Sequence, residues 1–209
     1  MHISDGILSG PVLIATGGLA TAGVGVALAK MDYEQIPRIG VLAAVFFVAS
    51  LIHVPIGPCS AHLLLIGLIG CLPGWTALPA ILCALLLQAI LFGYGGLTSL
   101  GANLLVMGLP AVVCYGCFGR HIRGTTSVRR VFVLAFAAGV LGVGVSCVLL
   151  GLVLCASGRE FVAAVGAIAI GHIPVMVIEG FVTATAMVFL HKVRPELLAS
   201  PHFDAKGAE

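Results

Sequence analysis

Long apolar runs decide what this chain can become. From Pro11 to Leu190 the sequence is a succession of hydrophobic stretches, interrupted only by short polar or glycine- and proline-bearing segments. Most approach the roughly 20 residues that a helix needs to cross the hydrocarbon core of a bilayer. With 60% hydrophobic and 9% charged residues in 209, a soluble domain could not hide the apolar surface, so the solvent must be lipid. The expected fold class is all-α, a polytopic helical bundle in the cell membrane. The 28 glycines suit such a bundle, because small residues let helix backbones approach closely.

The hydrophobic runs predict helices over about 11–29, 39–56, 60–72, 76–92, 99–118 and 131–156. The run 159–190 exceeds one span, and Gly171 and Pro174 are expected to break it into a short helix and a last helix. This reading has seven transmembrane helices, with the amino terminus outside and the carboxyl terminus cytoplasmic. It places Lys30, Arg38, Arg120, Arg123, Arg129, Arg130, Lys192, Arg194 and Lys206 on the cytoplasmic side and only Arg159 outside. If the short third helix were re-entrant, six spans would remain and the charge asymmetry would be poorer. Residues 1–209 read as one integral-membrane domain, with an amino-terminal segment 1–9 and a polar, mobile tail over about 195–209. The seven cysteines lie mostly inside apolar runs, and their odd number argues against a disulfide framework.

The first residues, Met1-His2-Ile3-Ser4-Asp5-Gly6, carry no basic cluster of the kind that opens a secretory signal. With Met1 as the mature start, its amine and the amide and imidazole nitrogens of His2 are spaced to close fused five- and six-membered chelate rings on one ion. Such a nitrogen-rich planar set suits Ni(II) or Cu(II) and leaves a fourth corner for another side chain. Taken alone, a histidine at position 2 reads first as an exposed residue on a frayed terminus, and it is the rest of the chain that favours the chelate.

Further ionisable groups stand at membrane depth, where each is costly and marks a candidate site. His53 and His62 flank a turn, in His53-Val54-Pro55-Ile56-Gly57-Pro58-Cys59-Ser60-Ala61-His62. His62 is placed at the outer mouth, where it could face the folded-in terminus. His53 could be a fourth ligand, a supporting partner or a packing residue, and Ser60 and Asp5 are candidates for supporting roles. His172 and Glu179 lie seven residues apart, close to two helical turns, and share a helix face. They could form an ion or proton pathway, a supporting shell, or a structural contact. Gln88 and Asn103 are isolated polar groups in apolar helices, suited to bonding between helices or to supporting a site. Cys114 and Cys117 form a lone C-x-x-C, which makes neither a convincing zinc site nor a redox pair. No phosphate-binding G-x-x-x-x-G-K-[ST] is present, so the chain is not expected to hydrolyse nucleotide, nor to be an enzyme in its own right.

Met1-His2-Ile3-Ser4-Asp5-Gly6-Ile7-Leu8-Ser9, the stretch from His53 to Leu65, and Gly171-His172-Ile173-Pro174 with Glu179-Gly180 and Arg194-Pro195-Glu196-Leu197-Leu198 resemble the CbiM/NikM family. These are the substrate-binding membrane components of energy-coupling factor (ECF) transporters for nickel and cobalt. The resemblance implies seven helices and transport of Ni2+ or Co2+ as substrate. It implies a metal held by the Met1 amine, the His2 amide and imidazole nitrogens, and the imidazole of His62. His53 stands where the family more often has Asn. The implied partners are two ATP-binding cassette ATPase subunits, a transmembrane coupling subunit and a small additional membrane subunit, all in the bilayer and without nucleic acid. Two rival readings remain: a proton-coupled secondary transporter of divalent metal using His172 and Glu179, and a haem-binding membrane redox protein.

Overall fold

The computed structural model describes residues 2–56, 59–72 and 74–198, the side chains of 53–56 and 59–62 excepted. Its helices are α1 (Gly10–Ala29), α2 (Ile36–Ser50), α3 (Ile66–Cys71), α4 (Ala77–Phe92), α5 (Leu100–Cys114), α6 (Arg120–Arg123), α7 (Val128–Ser157) and α8 (Val162–Val193). A π-helical turn at Tyr115–Gly119 carries α5 into α6, so Leu100–Arg123 runs on as one apolar segment. Five segments are long and apolar enough to cross a membrane: Gly10–Ala29, Gly74–Phe92, Leu100–Arg123, Val128–Ser157 and Arg159–Val193. At 15 and 6 residues, α2 and α3 fall short of that length.

Two expectations are corrected. The helices predicted over 39–56 and 60–72 do not nearly meet at a turn. Instead α2 stops at Ser50 and a hairpin follows, β1 (His53–Ile56) paired antiparallel with β2 (Cys59–His62). The β-branched Val54 and Ile56 and the helix-breaking Pro55 favour extended backbone there. The register sets His53 opposite His62 and Pro55 opposite Ser60, while the connecting Gly57 and Pro58 lie outside the described residues. Second, Gly171 and Pro174 do not break the last run, because α8 is one unbroken helix of 32 residues. Packing along the length of α7 holds it straight, and membrane helices tolerate an internal proline where neighbouring helices and small local adjustments accommodate the freed backbone group. The mobile tail expected after Pro195 begins as a short turn, Pro195–Leu197, and residues 199–209 lie outside the described residues.

The core forms around α3, whose six residues are all buried. Close backbone contact makes this possible. A Cβ on Gly67 would stand 2.6 Å from the Gly139 Cα of α7, and one on Gly139 would stand 2.6 Å from the Glu179 carbonyl oxygen of α8. Only glycine at position 139 lets α3, α7 and α8 meet at this point.

Helix direction then sorts the chain into two ends. Ser9, Ser50, the hairpin, Gln88, Ser99 and Ser157 gather at one end, joined by Gln88 to Ser50 and by the Ser9 N–H to Ser157 Oγ at 3.4 Å. At the opposite end Lys30 lies over the Trp75 ring at 5.2 Å, and Arg123 donates to the Leu72 carbonyl at 3.1 Å. Lys30, Arg38, Arg120, Arg123, Arg129, Arg130, Lys192 and Arg194 lie toward that opposite end, whereas Arg159 lies near the first, next to the start of α8.

Candidate metal centre at the amino terminus

From His2 onward the amino-terminal segment is tied to the bundle. It packs against α5 and the loop before it, and Ile3 is buried. Asn103 of α5 grips the Ile3 backbone from both sides: the Ile3 N–H donates to Asn103 Oδ1 at 2.8 Å, and Asn103 Nδ2 donates to the Ile3 carbonyl at 3.0 Å. Ser99 Oγ donates to the same carbonyl at 2.7 Å. A side-chain amide thus takes the place of a neighbouring strand and satisfies backbone groups that would otherwise be buried unpaired. The Asp5 N–H donates to the Gly95 carbonyl at 3.3 Å. Gly95 itself has φ +77°, and a Cβ there would meet Asn103 Nδ2 at 2.8 Å, so glycine is required beside the clamp.

Asp5 is exposed and works as a latch. Thr98 Oγ1 donates to its Oδ1 at 2.6 Å and the Ser99 N–H at 3.1 Å. The Thr98 hydroxyl, with the Ser99 N–H assisting, holds the Asp5 carboxyl below its ordinary pKa although desolvation opposes the shift. Asp5 therefore supports the terminal segment rather than presenting a bare carboxylate.

His2 is half-buried, and its Nε2 lies 2.7 Å from Gln88 Oε1 of α4. Gln88 is fully buried, and its Nε2 donates to Ser50 Oγ of α2 at 2.6 Å. The Ser50 hydroxyl donates in turn to the Phe47 carbonyl at 2.6 Å. The His2 ring sits 6.0 Å from that of Tyr94, at the end of a row that continues through Phe92 to Phe47 at 5.7 and 5.6 Å.

His172 and Glu179, on the same continuous helix, bond to different partners. The His172 Nδ1 lies 2.7 Å from the carbonyl of Ile168, one turn back on its own helix. Glu179 is fully buried and reaches the segment that follows β2. Its Oε1 accepts the Leu64 N–H, and the Leu65 N–H lies 2.9 and 3.0 Å from its two oxygens. Leu65 has φ +50°, a left-handed conformation that a leucine keeps only when its surroundings enforce it. Glu179 thus ties α8 to the turn that begins two residues beyond His62. Of the C-x-x-C pair, Cys114 is buried with its thiol on the Ala138 carbonyl at 3.3 Å, and Cys117 is exposed.

Met1 and the side chains of His53, Ser60 and His62 lie outside the described residues. Among the described residues no three His, Cys, Asp or Glu side chains converge on one point. Gln88 and Asn103 could be picked out in the sequence as lone amides in apolar helices. Ser50, Thr98 and Ser99 carry no comparable signal, since hydroxyls in membrane helices commonly bond back to their own helix.

Comparison with known proteins agrees with this architecture. Residues 2–197 match the model of the CbiM family, described as the cobalt uptake substrate-specific transmembrane region. A Haemophilus influenzae protein, provisionally named a metal transport protein, is 38% identical over 199 residues, covering 95% of this chain and 97% of that one. A fused nickel transport protein NikMN of Rhodobacter capsulatus is 34% identical over 223 residues, covering 95% of this chain and 64% of the longer fused protein. A crystal structure of a transition metal transporter shares the fold, with a TM-score of 0.67 at 24% identity, over 92% of this chain and 93% of that one. The chain therefore belongs to the CbiM family, described by its substrate-specific transmembrane region for cobalt uptake, as a multi-pass protein of the cell membrane that serves transport rather than catalysis.

Proposed function

We propose that this chain is the substrate-binding component of an energy-coupling factor importer and captures Ni2+ or Co2+ at its amino-terminal end. The metal is held by the Met1 amine, the amide and imidazole nitrogens of His2, and the imidazole of His62. The carrying observation is the clamp on residues 2–5. Asn103 and Ser99 fix the Ile3 backbone, Thr98 holds the Asp5 carboxylate, and Gln88 fixes the His2 ring. Ordering so short a segment costs conformational entropy, and that cost suits a site which must exist before the ion arrives. The hairpin supplies His62, with His53 beside it in register. The family's seven-span topology, with the site facing outward and the basic end in the cytoplasm, accords with the charge asymmetry. Transport energy then comes from two ATPase subunits through a membrane coupling subunit, and a small additional membrane subunit completes the assembly. The fused NikMN relative accords with such multi-component assembly.

The test is His62→Ala, purified in detergent with a carboxyl-terminal tag. Titration with Ni(II) and Co(II) should show loss of high-affinity binding while the helical content stays at the parent level. Unchanged affinity in that folded variant would remove His62 from the site.

A further inference from the structure

We infer that the Phe47–Ser50–Gln88–His2 chain of hydrogen bonds is a positioning device that locks His2 in one tautomer and so selects the nitrogen offered to the metal. The inference rests on the proposed role of His2 as a ligand.

The direction of the chain follows from its fixed end. A backbone carbonyl only accepts, so the Ser50 hydroxyl must give its single proton to the Phe47 carbonyl, 2.6 Å away. Ser50 Oγ can then only accept from Gln88, which turns the NH2 of the amide toward Ser50 at 2.6 Å. The amide oxygen must therefore face His2, and a carbonyl oxygen 2.7 Å from the ring requires a proton on Nε2. A neutral imidazole protonated at Nε2 keeps its ring lone pair on Nδ1. Counting bonds from the His2 amide nitrogen through Cα, Cβ and Cγ, Nδ1 is the atom that closes a six-membered chelate ring. Nε2 would need a larger and poorer ring. The relay therefore presents the nitrogen that the chelate uses, and the row of Tyr94, Phe92 and Phe47 rings holds its plane beside it. Gln88 and Ser50 touch no metal. Outer partners of metal-bound histidines act in this way, and their loss typically costs 10–100-fold in affinity.

The experiment combines 15N-histidine NMR of the metal-free protein with Ni(II) titration, using the parent, Gln88→Leu, Gln88→Glu and His2→Ala. The difference from His2→Ala assigns the His2 ring signals. The parent should show His2 protonated at Nε2. Gln88→Leu should lose that preference and bind Ni(II) roughly 10–100-fold more weakly. Gln88→Glu keeps an acceptor toward Nε2 and should retain both tautomer and most of the affinity, which guards against reading a misfolded leucine variant as support. A parent with His2 protonated at Nδ1, or a folded Gln88→Leu that binds like the parent, overturns the relay. If His2→Ala also binds like the parent, the ligand assignment itself has failed. If His2→Ala loses binding while Gln88→Leu keeps it, only the relay falls.

Discussion

One residue placed ahead of Met1 should abolish tight Ni(II) and Co(II) binding, although every side chain of the protein is retained. The added residue converts the Met1 amine into an amide and moves the free amine beyond reach. The fused rings then cannot close. The chain cannot slide to compensate, because Asn103 holds the Ile3 backbone from both sides and Asp5 is latched to Thr98 and Ser99. The expected loss exceeds about 100-fold, beyond the cost of losing a merely supporting hydrogen bond. Acetylation of the amine should have the same effect. In the parent, binding should weaken as pH falls, because protons compete with the metal for the amine, the amide nitrogen and the imidazoles. Titration of carboxyl-terminally tagged parent, extended and acetylated proteins checks this. Equal affinities would return His2 to the status of a passive terminus.

Glu179→Ala should be the most damaging single change away from the terminus. Glu179 is fully buried at the contact of α3, α7 and α8, and its carboxylate serves the N–H groups of Leu64 and Leu65. Alanine strands both donors in an apolar setting, at about 1–3 kcal/mol for each. It also releases the left-handed Leu65, whose strained backbone is of order 1–3 kcal/mol uphill. The turn begins two residues after His62, so the histidine's placement should loosen with it. Glu179→Ala is therefore expected to unfold at lower temperature and to bind Ni(II) more weakly. Glu179→Gln retains one acceptor oxygen and should fall between. Thermal unfolding in detergent and metal titration on the same samples measure both effects. A Glu179→Ala protein as stable as the parent would show that the carboxylate does not hold the turn.

The spans of α1, α4, α5 and α7 could be read from hydropathy, because lipid demands continuous apolar sequence and little else competes with that signal. The boundary after α2 could not. Leu51–Ile56 and the residues from Ser60 onward are short apolar runs that fit a buried helix or a strand equally well by periodicity. Pro174 misled for a related reason: its effect on a helix depends on neighbours that a sequence does not reveal. At the site, the proposed Met1–His2 chelate was legible as a candidate because it depends on covalent spacing alone. The relay through Ser50 and the grip of Glu179 on Leu64 and Leu65 were not. Both use ordinary hydroxyl and backbone groups, and their meaning comes entirely from which helices meet.

The most direct test is nickel X-ray absorption on the purified protein loaded with one equivalent of Ni(II). A planar shell of four nitrogen donors without sulfur is expected, in a diamagnetic ion. That shell should be absent from the protein extended by one residue before Met1. A six-coordinate shell dominated by oxygen, or one containing cysteine sulfur, would contradict a site built from the amino-terminal nitrogens and His62.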